Sequence, residues 1–299
     1  MSPAARATDK IVGLSSTISI ERRETALAIP APTVGAPPSE PTVKRSPLWI
    51  EALTIVWLCW VYDAITNLAP LRLHAALDHG EAILAAERSL GIAPELHLDR
   101  WLGAHQTLAL AISDYYDNAH FIVTLGLLGW LWWRRADIYR PLRNVLVAVN
   151  VLAFAIFWLY PVAPPRMLTR FGFKDIVASS HAFGSWHTGA LASAANQLAA
   201  MPSLHMAWAG WCTLVVWRVT TKVWLRALAL LYPCITAFAV LATGNHYLFD
   251  VLAGLATLAL VVLIQALIPR KIRTARVPHV TNLLRSLKAD RLSEPPRTV

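Results

Sequence analysis

Cysteine and charged residues are scarce in this chain of 299 residues. Charged residues make up 15% of it, against about 25% in ordinary soluble domains. The three cysteines, Cys59, Cys212 and Cys234, all fall inside apolar runs, so no disulfide or cysteine-based metal framework is indicated. Residues 1–46 have no apolar core resembling a signal peptide and are rich in alanine, proline, serine and threonine, which predicts a disordered tail.

Long apolar runs dominate the rest of the sequence. Hydrophobic residues form 56% of the chain, which has 13 tryptophans and a mean hydropathy of +0.46. A bilayer is crossed by about 20 apolar residues in a helix. Six runs have that length, near 48–69, 118–134, 142–161, 204–220, 224–243 and 246–268. A shorter run at 102–116 is typical of an interfacial helix. The sequence therefore predicts an all-α fold, a polytopic membrane bundle of six transmembrane helices plus interfacial helices, over residues 47–269.

The basic residues orient these six spans. They cluster before span one, between spans two and three, between spans four and five, and after span six: Lys44, Arg45, Arg134, Arg135, Arg140, Arg143, Arg218, Lys222, Arg226, Arg270, Lys271, Arg273 and Arg276. The positive-inside rule predicts that both termini are cytoplasmic, with 270–299 as a basic tail. We expect an integral protein of the plasma membrane. The net charge of +9 then reflects topology and contact with anionic lipid, so no nucleic-acid partner is predicted.

Three polar clusters interrupt the apolar runs on the predicted outer side. Ionisable groups are expensive in hydrocarbon, so their presence there indicates a function. The clusters are YPVAPPRML with Arg166, MPSLH with Ser203 and His205, and GNHYLFD with Asn245, His246 and Asp250.

Each cluster has a chemical and a structural interpretation. Ser203 suits a helix cap, and the first turn after it would place His205 beside N–H groups that attract phosphate. His246 and Asp250 are four residues apart, so on a helix they share one face, where a carboxylate can orient a nucleophilic or basic imidazole. The planar fork of Arg166 suits phosphate oxygens. The structural alternatives are a simple helix cap, a His–Asp pair that seals a helix contact, and an arginine that snorkels to the interface.

Weaker candidates lie near the same clusters. Tyr116 and His120 occur at the outer start of span two and are candidates for lining the same cavity, although an interfacial aromatic and a lone histidine are more often structural. Asn245 precedes His246 in a break between two spans and is a further candidate for substrate binding.

At these residues the chain resembles the type-2 phosphatidic acid phosphatase superfamily. Within it, the chain is most similar to the inositol phosphorylceramide synthase-like branch of inositol phosphotransferases. The resemblance covers about residues 50–268 and is carried by APPRML, MPSLHMAW and GNHYLFDVLAG. The superfamily's PSxH motif is matched by PSLH, which ends at His205, and its HxxxD motif by His246 and Asp250.

The resemblance implies a role for each matched residue. His246 would attack phosphorus and form a phosphohistidine, Asp250 would orient it, and His205 would protonate the leaving oxygen and then activate the acceptor. Arg166 and Ser203 would stabilise charge on the equatorial oxygens. This scheme requires no metal or other cofactor. A His₂-carboxylate metal set is the alternative, but the nearby arginine and helix N-terminus favour an anion.

Two motif positions depart from those of lipid phosphatases. Ala239 and Val240 replace the Ser-Arg that begins the third phosphatase motif, and the lysine-led first motif is reduced to APPR. Fewer cations suit a phosphodiester, which carries one negative charge fewer than a monoester. The resemblance thus implies a membrane lipid phosphotransferase that moves a phosphoryl-linked head group, such as inositol phosphate, from a phospholipid or lipid-linked phosphate to a lipid or glycan hydroxyl.

Two alternative functions stay open at this point. In a lipid or polyprenyl phosphate phosphatase, water would replace the acceptor. A non-catalytic transporter or membrane scaffold is the other alternative, because discontinuous helices with polar ends occur in transporters. The sequence shows no internal repeat, and its polar residues cluster at one face, which both favour an enzyme.

Overall fold

A computed structural model describes residues 45–68, 72–180 and 198–268. In these ranges the regular elements are helices: α1 (Leu48–Leu68), α2 (Leu73–Ser89), α3 (Glu95–Gly103), α4 (Gln106–Arg134), α5 (Ala136–Leu159), α6 (Ile176–Ser180), α7 (Leu204–Val219), α8 (Val223–Ala242) and α9 (Leu248–Leu267). Two 3-10 turns, Pro165–Met167 and Thr169–Phe171, follow α5. The tail predicted at 1–46 lies outside the described residues except for its last two positions, and 270–299 lies wholly outside them.

Three of the helices are long and apolar enough to cross a membrane. They are α5, α8 and α9, with 24, 20 and 20 residues, and α1 contains a shorter apolar stretch, Leu48–Tyr62. Helices of this length and composition indicate a membrane protein. The all-α prediction is therefore confirmed, whereas the count of six spans stays a prediction.

Two helix boundaries differ from those predicted. The run at 102–116 is not a separate interfacial helix, because α4 continues without a break for 29 residues from Gln106 to Arg134. The last span begins at Leu248, not His246, because Gly244 leaves the helical region with a φ of +65° and Tyr247 is the N-cap of α9. His246 therefore lies in the turn that precedes the helix.

Helix α7 lies at the centre of the bundle and contacts α4, α5, α8 and α9. Trp211 is fully buried on it and donates its indole N–H to the Leu142 carbonyl of α5 at 2.9 Å. Valines of α5 and α7 pack around this indole, among them Val145, Val149 and Val215. The central helix is thus fixed against α5, and this fixes the position of its first turn.

A glycine lets α9 approach the start of α7. A Cβ on Gly254 would lie 2.3 Å from the Ser203 carbonyl oxygen, well inside van der Waals contact. The two helices can meet this closely because glycine has no side chain. This contact brings the second and third polar clusters of the sequence together.

Candidate active site

Backbone hydrogen bonds join the three polar clusters. The Arg166 N–H donates to the Gly244 carbonyl at 2.8 Å, and the Ser203 N–H donates to the Asp250 carbonyl at 3.0 Å. Segments that are far apart in the sequence are therefore held together by the main chain, and their side chains face a common region.

His246 is held by two acceptors at one ring nitrogen. Its Nδ1 lies 2.8 Å from the Ala200 carbonyl and 3.4 Å from Asp250 Oδ2. Because neither partner can donate, Nδ1 carries the proton and Nε2 keeps its lone pair. Asp250 also accepts the Tyr247 N–H at 2.8 Å and is fully buried. The Ala200 carbonyl, which the sequence did not indicate, thus makes the shorter contact to the imidazole.

A row of rings extends from His246 across His205. The His205 and His246 ring centroids are 5.6 Å apart in an edge-on arrangement. Tyr116 stacks on His205 at 4.5 Å, and His120 lies 4.3 Å from it. His120 Nδ1 is itself 3.0 Å from the Tyr116 carbonyl. The structure therefore places Tyr116 and His120 against His205. In the described part of the chain, no cluster of three His, Cys, Asp or Glu side chains has metal-binding geometry.

Ser203 is the N-cap of α7, as its sequence context predicts. Its Oγ accepts the Met206 N–H at 3.4 Å, and the residue is fully buried. His205 lies in the first turn, as predicted. This cap is a neutral hydroxyl. The positive end of the α7 dipole, which faces the histidine row, is therefore not neutralised by a charged cap residue.

Arg166 is buried and held by side chains on both sides. Its Nε lies 3.3 Å from Asp175 Oδ2, and its Nη1 donates to Asn245 Oδ1. The Asn245 amide in turn donates to Thr243 Oγ1 at 2.8 Å. Asn245 therefore contacts Arg166 and helps to fix the orientation of its guanidinium.

A family model described as the PAP2 superfamily matches residues 81–264. The chain belongs to the PAP2 superfamily. Neither a curated protein nor a solved structure matches it. Enzymes of this superfamily are generally phosphatases or phosphotransferases that act on lipid phosphates at membranes, and membership suggests an activity of this class for the chain. The predicted inositol phosphorylceramide synthase-like branch stays a prediction.

Beyond the superfamily motifs, two buried acids bind the N-terminus of α9. Glu87 Oε1 accepts the Phe249 N–H at 2.6 Å, and Glu95 Oε1 accepts the Leu248 N–H at 2.8 Å. Both glutamates are fully buried. Carboxylates stabilise the first N–H groups of a helix and its positive dipole end. Helices α2 and α3 thus hold the segment that carries His246 and Asp250.

Burial shifts the pKa values of acids near the candidate site. The pKa of Glu87 is raised to about 8, chiefly by burial, with the Phe249 hydrogen bond lowering it and the neighbouring acids Glu95 and Asp250 raising it. Burial also raises the pKa of Asp99 to about 6, although the Lys174 N–H donates to it at 3.2 Å. Glu87 therefore holds a proton at neutral pH more readily than an exposed glutamate.

These acids were not predicted as site residues, although the sequence contains a signal for them. The acids lie on the buried faces of α2 and α3, at the spacing of successive helical turns. The buried residues are Ala76, Gly80, Ile83, Leu84 and Glu87 on α2, and Glu95, Asp99 and Leu102 on α3. An acid on the buried stripe of an amphipathic helix needs a partner, because an unpaired buried charge is costly.

Proposed function

We propose that this chain is an integral membrane lipid phosphotransferase of the inositol phosphorylceramide synthase-like branch. It moves a phosphoryl-linked head group, with inositol phosphate as the first candidate, from a phospholipid to a lipid or glycan hydroxyl through a phosphohistidine. The observation that carries the proposal is the pairing of His246 and His205. Two acceptors engage the Nδ1 of His246, which leaves its Nε2 basic, and the His205 ring lies 5.6 Å away.

In the first half-reaction, Nε2 of His246 attacks phosphorus. The P–N bond forms, and the P–O bond to the leaving alcohol, such as diacylglycerol, breaks. His205 as imidazolium gives its proton to the leaving oxygen, so the alcohol departs neutral. Asp250 and the Ala200 carbonyl stabilise the charge that His246 acquires at Nδ1–H. Arg166, Ser203 and the first turn of α7 bind the phosphoryl oxygens.

In the second half-reaction, His205 acts as the base. Its neutral imidazole takes the proton of the acceptor hydroxyl, whose oxygen attacks phosphorus as the P–N bond to His246 breaks. The lone pair returns to Nε2, and His205 is again protonated for the next cycle. The stacked Tyr116 and the adjacent His120 hold the His205 ring between the two steps and contribute to substrate binding beside it.

The small number of cations supports transfer from a phosphodiester over hydrolysis of a monoester. Ala239 and Val240, at the positions of the phosphatase Ser-Arg, are fully buried in the bundle. Apart from their histidines, the three polar clusters contain one basic side chain, that of Arg166. A single arginine matches the single charge of a phosphodiester better than the charge of a monoester.

We further propose six spans, α1, α4, α5, α7, α8 and α9, in the plasma membrane with the site outside. The support is the position of the charges along α5. This helix begins directly after Arg135 and ends shortly before Arg166, and its 24 residues extend about 36 Å. By the positive-inside rule, the arginines at the N-terminal end of α5 indicate that this end is cytoplasmic.

Trapping of the intermediate tests the proposal. Purified chain is mixed rapidly with phosphatidylinositol labelled at phosphate, and acid-labile protein label is measured. We expect label on the wild type and its absence in His246→Asn, with turnover lowered at least about 10³-fold. His74→Asn is the matched control, because His74 is an exposed histidine on α2.

The products separate the proposal from its alternatives. Transfer to an added hydroxyl acceptor supports the phosphotransferase. Release of inorganic phosphate from phosphatidate or polyprenyl phosphate, without a requirement for acceptor, supports the phosphatase instead. Failure to turn over any phospholipid, together with substrate flux in proteoliposomes that survives His205→Ala and His246→Ala, contradicts the enzyme and supports a transporter.

A further inference from the structure

Asp175 pairs with the arginine of the site. Its Oδ2 lies 3.3 Å from Arg166 Nε, and its Oδ1 accepts the Ala178 N–H at 2.9 Å, which caps the short helix α6. The Arg166 side chain is 7% exposed and that of Asp175 is 36% exposed. Because both carboxylate oxygens are engaged, Asp175 is held in one orientation beside the buried guanidinium.

This ion pair lies beside the histidine row. The Arg166 side chain donates to Asn245 Oδ1, and Asn245 directly precedes His246. The Arg166 N–H also bonds the Gly244 carbonyl, two residues before His246. A phosphate placed between the histidines and Arg166 therefore meets an arginine whose charge Asp175 has already partly neutralised.

We infer that Asp175 determines the charge selectivity of the phosphate site through Arg166, and adapts it to a phosphodiester. The inference rests on the proposed function and names the substrate class of the same site. A phosphodiester has one ionised oxygen, whereas a monoester has a second pKa near 6 and carries close to two charges at neutral pH. Like charges repel strongly near a buried site, so the second charge is disfavoured beside Asp175.

Three substitutions separate charge from structure. Asp175→Asn removes the charge but keeps an oxygen that can accept the Ala178 N–H, and Asp175→Ser keeps a capping hydroxyl. Glu81→Gln is the matched control, because Glu81 pairs with Arg170 on the protein surface. This control also removes a carboxylate that pairs with an arginine. That arginine, Arg170, is close to Arg166 in the sequence, but Arg166 itself is not altered.

The experiment compares phosphatidate with phosphatidylinositol of identical acyl chains, using the full chain in mixed micelles. Diacylglycerol is the leaving alcohol in both, so only the charge and the head group differ. The measured quantity is kcat/KM for the release of diacylglycerol from each lipid. We expect Asp175→Asn and Asp175→Ser to raise the ratio for phosphatidate over phosphatidylinositol roughly tenfold or more, and Glu81→Gln to leave it unchanged.

A binding measurement makes the inference testable without turnover. Inorganic phosphate and dimethyl phosphate differ in charge, and their stabilisation of the chain against thermal unfolding reports their affinities. Loss of the Asp175 charge should strengthen the binding of inorganic phosphate relative to that of dimethyl phosphate. The factor should be similar to the one expected for the two lipids. Unchanged ratios in both measurements, or an equal shift in Glu81→Gln, overturn the inference. A wild type that cleaves neither lipid contradicts the proposed function, whereas the binding ratio still decides the role of Asp175.

Discussion

Helices α7 and α9 both begin at the candidate site, but their N-termini are capped differently. The cap of α7 is the neutral hydroxyl of Ser203. The first N–H groups of α9 are bound by the carboxyl groups of Glu95 and Glu87, and that of Asp250 adds a third acceptor at the N-cap. Both arrangements satisfy a helix start, but three acidic side chains at the start of α9 disfavour a bound anion there more than the single hydroxyl at the start of α7 does. The difference supports our proposal that α7 binds phosphate and that α9 positions His246.

The close contact between these two helices is the most sensitive point. Gly254→Ala places a Cβ 2.3 Å from the Ser203 carbonyl oxygen, so α7 and α9 must separate. We expect activity to fall about 100-fold, because small displacements of catalytic groups are costly, and stability to fall by about 1–3 kcal/mol. Activity assays and thermal unfolding in detergent measure both effects.

The matched control for this substitution is Gly126→Ala on α4. A Cβ on Gly126 meets nothing within 4 Å, so this variant should keep its activity and its stability. Equal losses in the two variants would show that the Gly254 contact has no special role in joining the helices.

The carboxylate caps of α9 are tested at Glu87. Glu87→Ala leaves the Phe249 N–H without its buried acceptor and should lower the free energy of unfolding by about 1–3 kcal/mol or more. Glu87→Gln keeps an acceptor oxygen and should lose less. If the two variants unfold alike, the hydrogen bond to Phe249 does not stabilise α9.

The pH dependence of stability sharpens the same comparison. The pKa of Glu87 rises from 4.5 to about 8 on folding, so the folded chain binds an extra proton between these values. The free energy of unfolding should therefore fall as pH rises toward 8, by at most about 1.4 kcal/mol per pH unit from this group. Thermal unfolding from pH 5 to 9 measures it, and Glu87→Gln should show a shallower slope. Parallel slopes would exclude Glu87 as the source.

The neutral cap of α7 should give the smallest effect on stability. Ser203→Ala removes a long hydrogen bond of 3.4 Å and should cost about 0.5–1 kcal/mol of stability. Catalysis should suffer more than stability, because we propose that Ser203 also binds the phosphoryl group. A variant with lowered stability but unchanged kcat and KM would restrict Ser203 to capping.

Local sequence patterns predicted one of the two helix starts correctly. The PSLH segment contains its own capping residue and a helix former, so Ser203 and α7 follow from neighbouring residues alone. The start of α9 was misplaced by two residues. Asp250 binds the N-cap N–H from within the segment, but Glu87 and Glu95, which bind the Phe249 and Leu248 N–H groups, lie 162 and 153 positions away. Sequence spacing carries no information about such distant partners.

The chemistry of the candidate site divides in the same way. Sequence alone determined the residue types: Arg166, His205, His246 and Asp250 in apolar surroundings, in motifs that a match to the PAP2 superfamily supports. Their long-range partners depend on how distant segments pack. Tertiary structure alone decided that the Ala200 carbonyl holds the His246 ring and that buried glutamates hold α9, because main-chain acceptors and distant carboxylates leave no local pattern in a sequence.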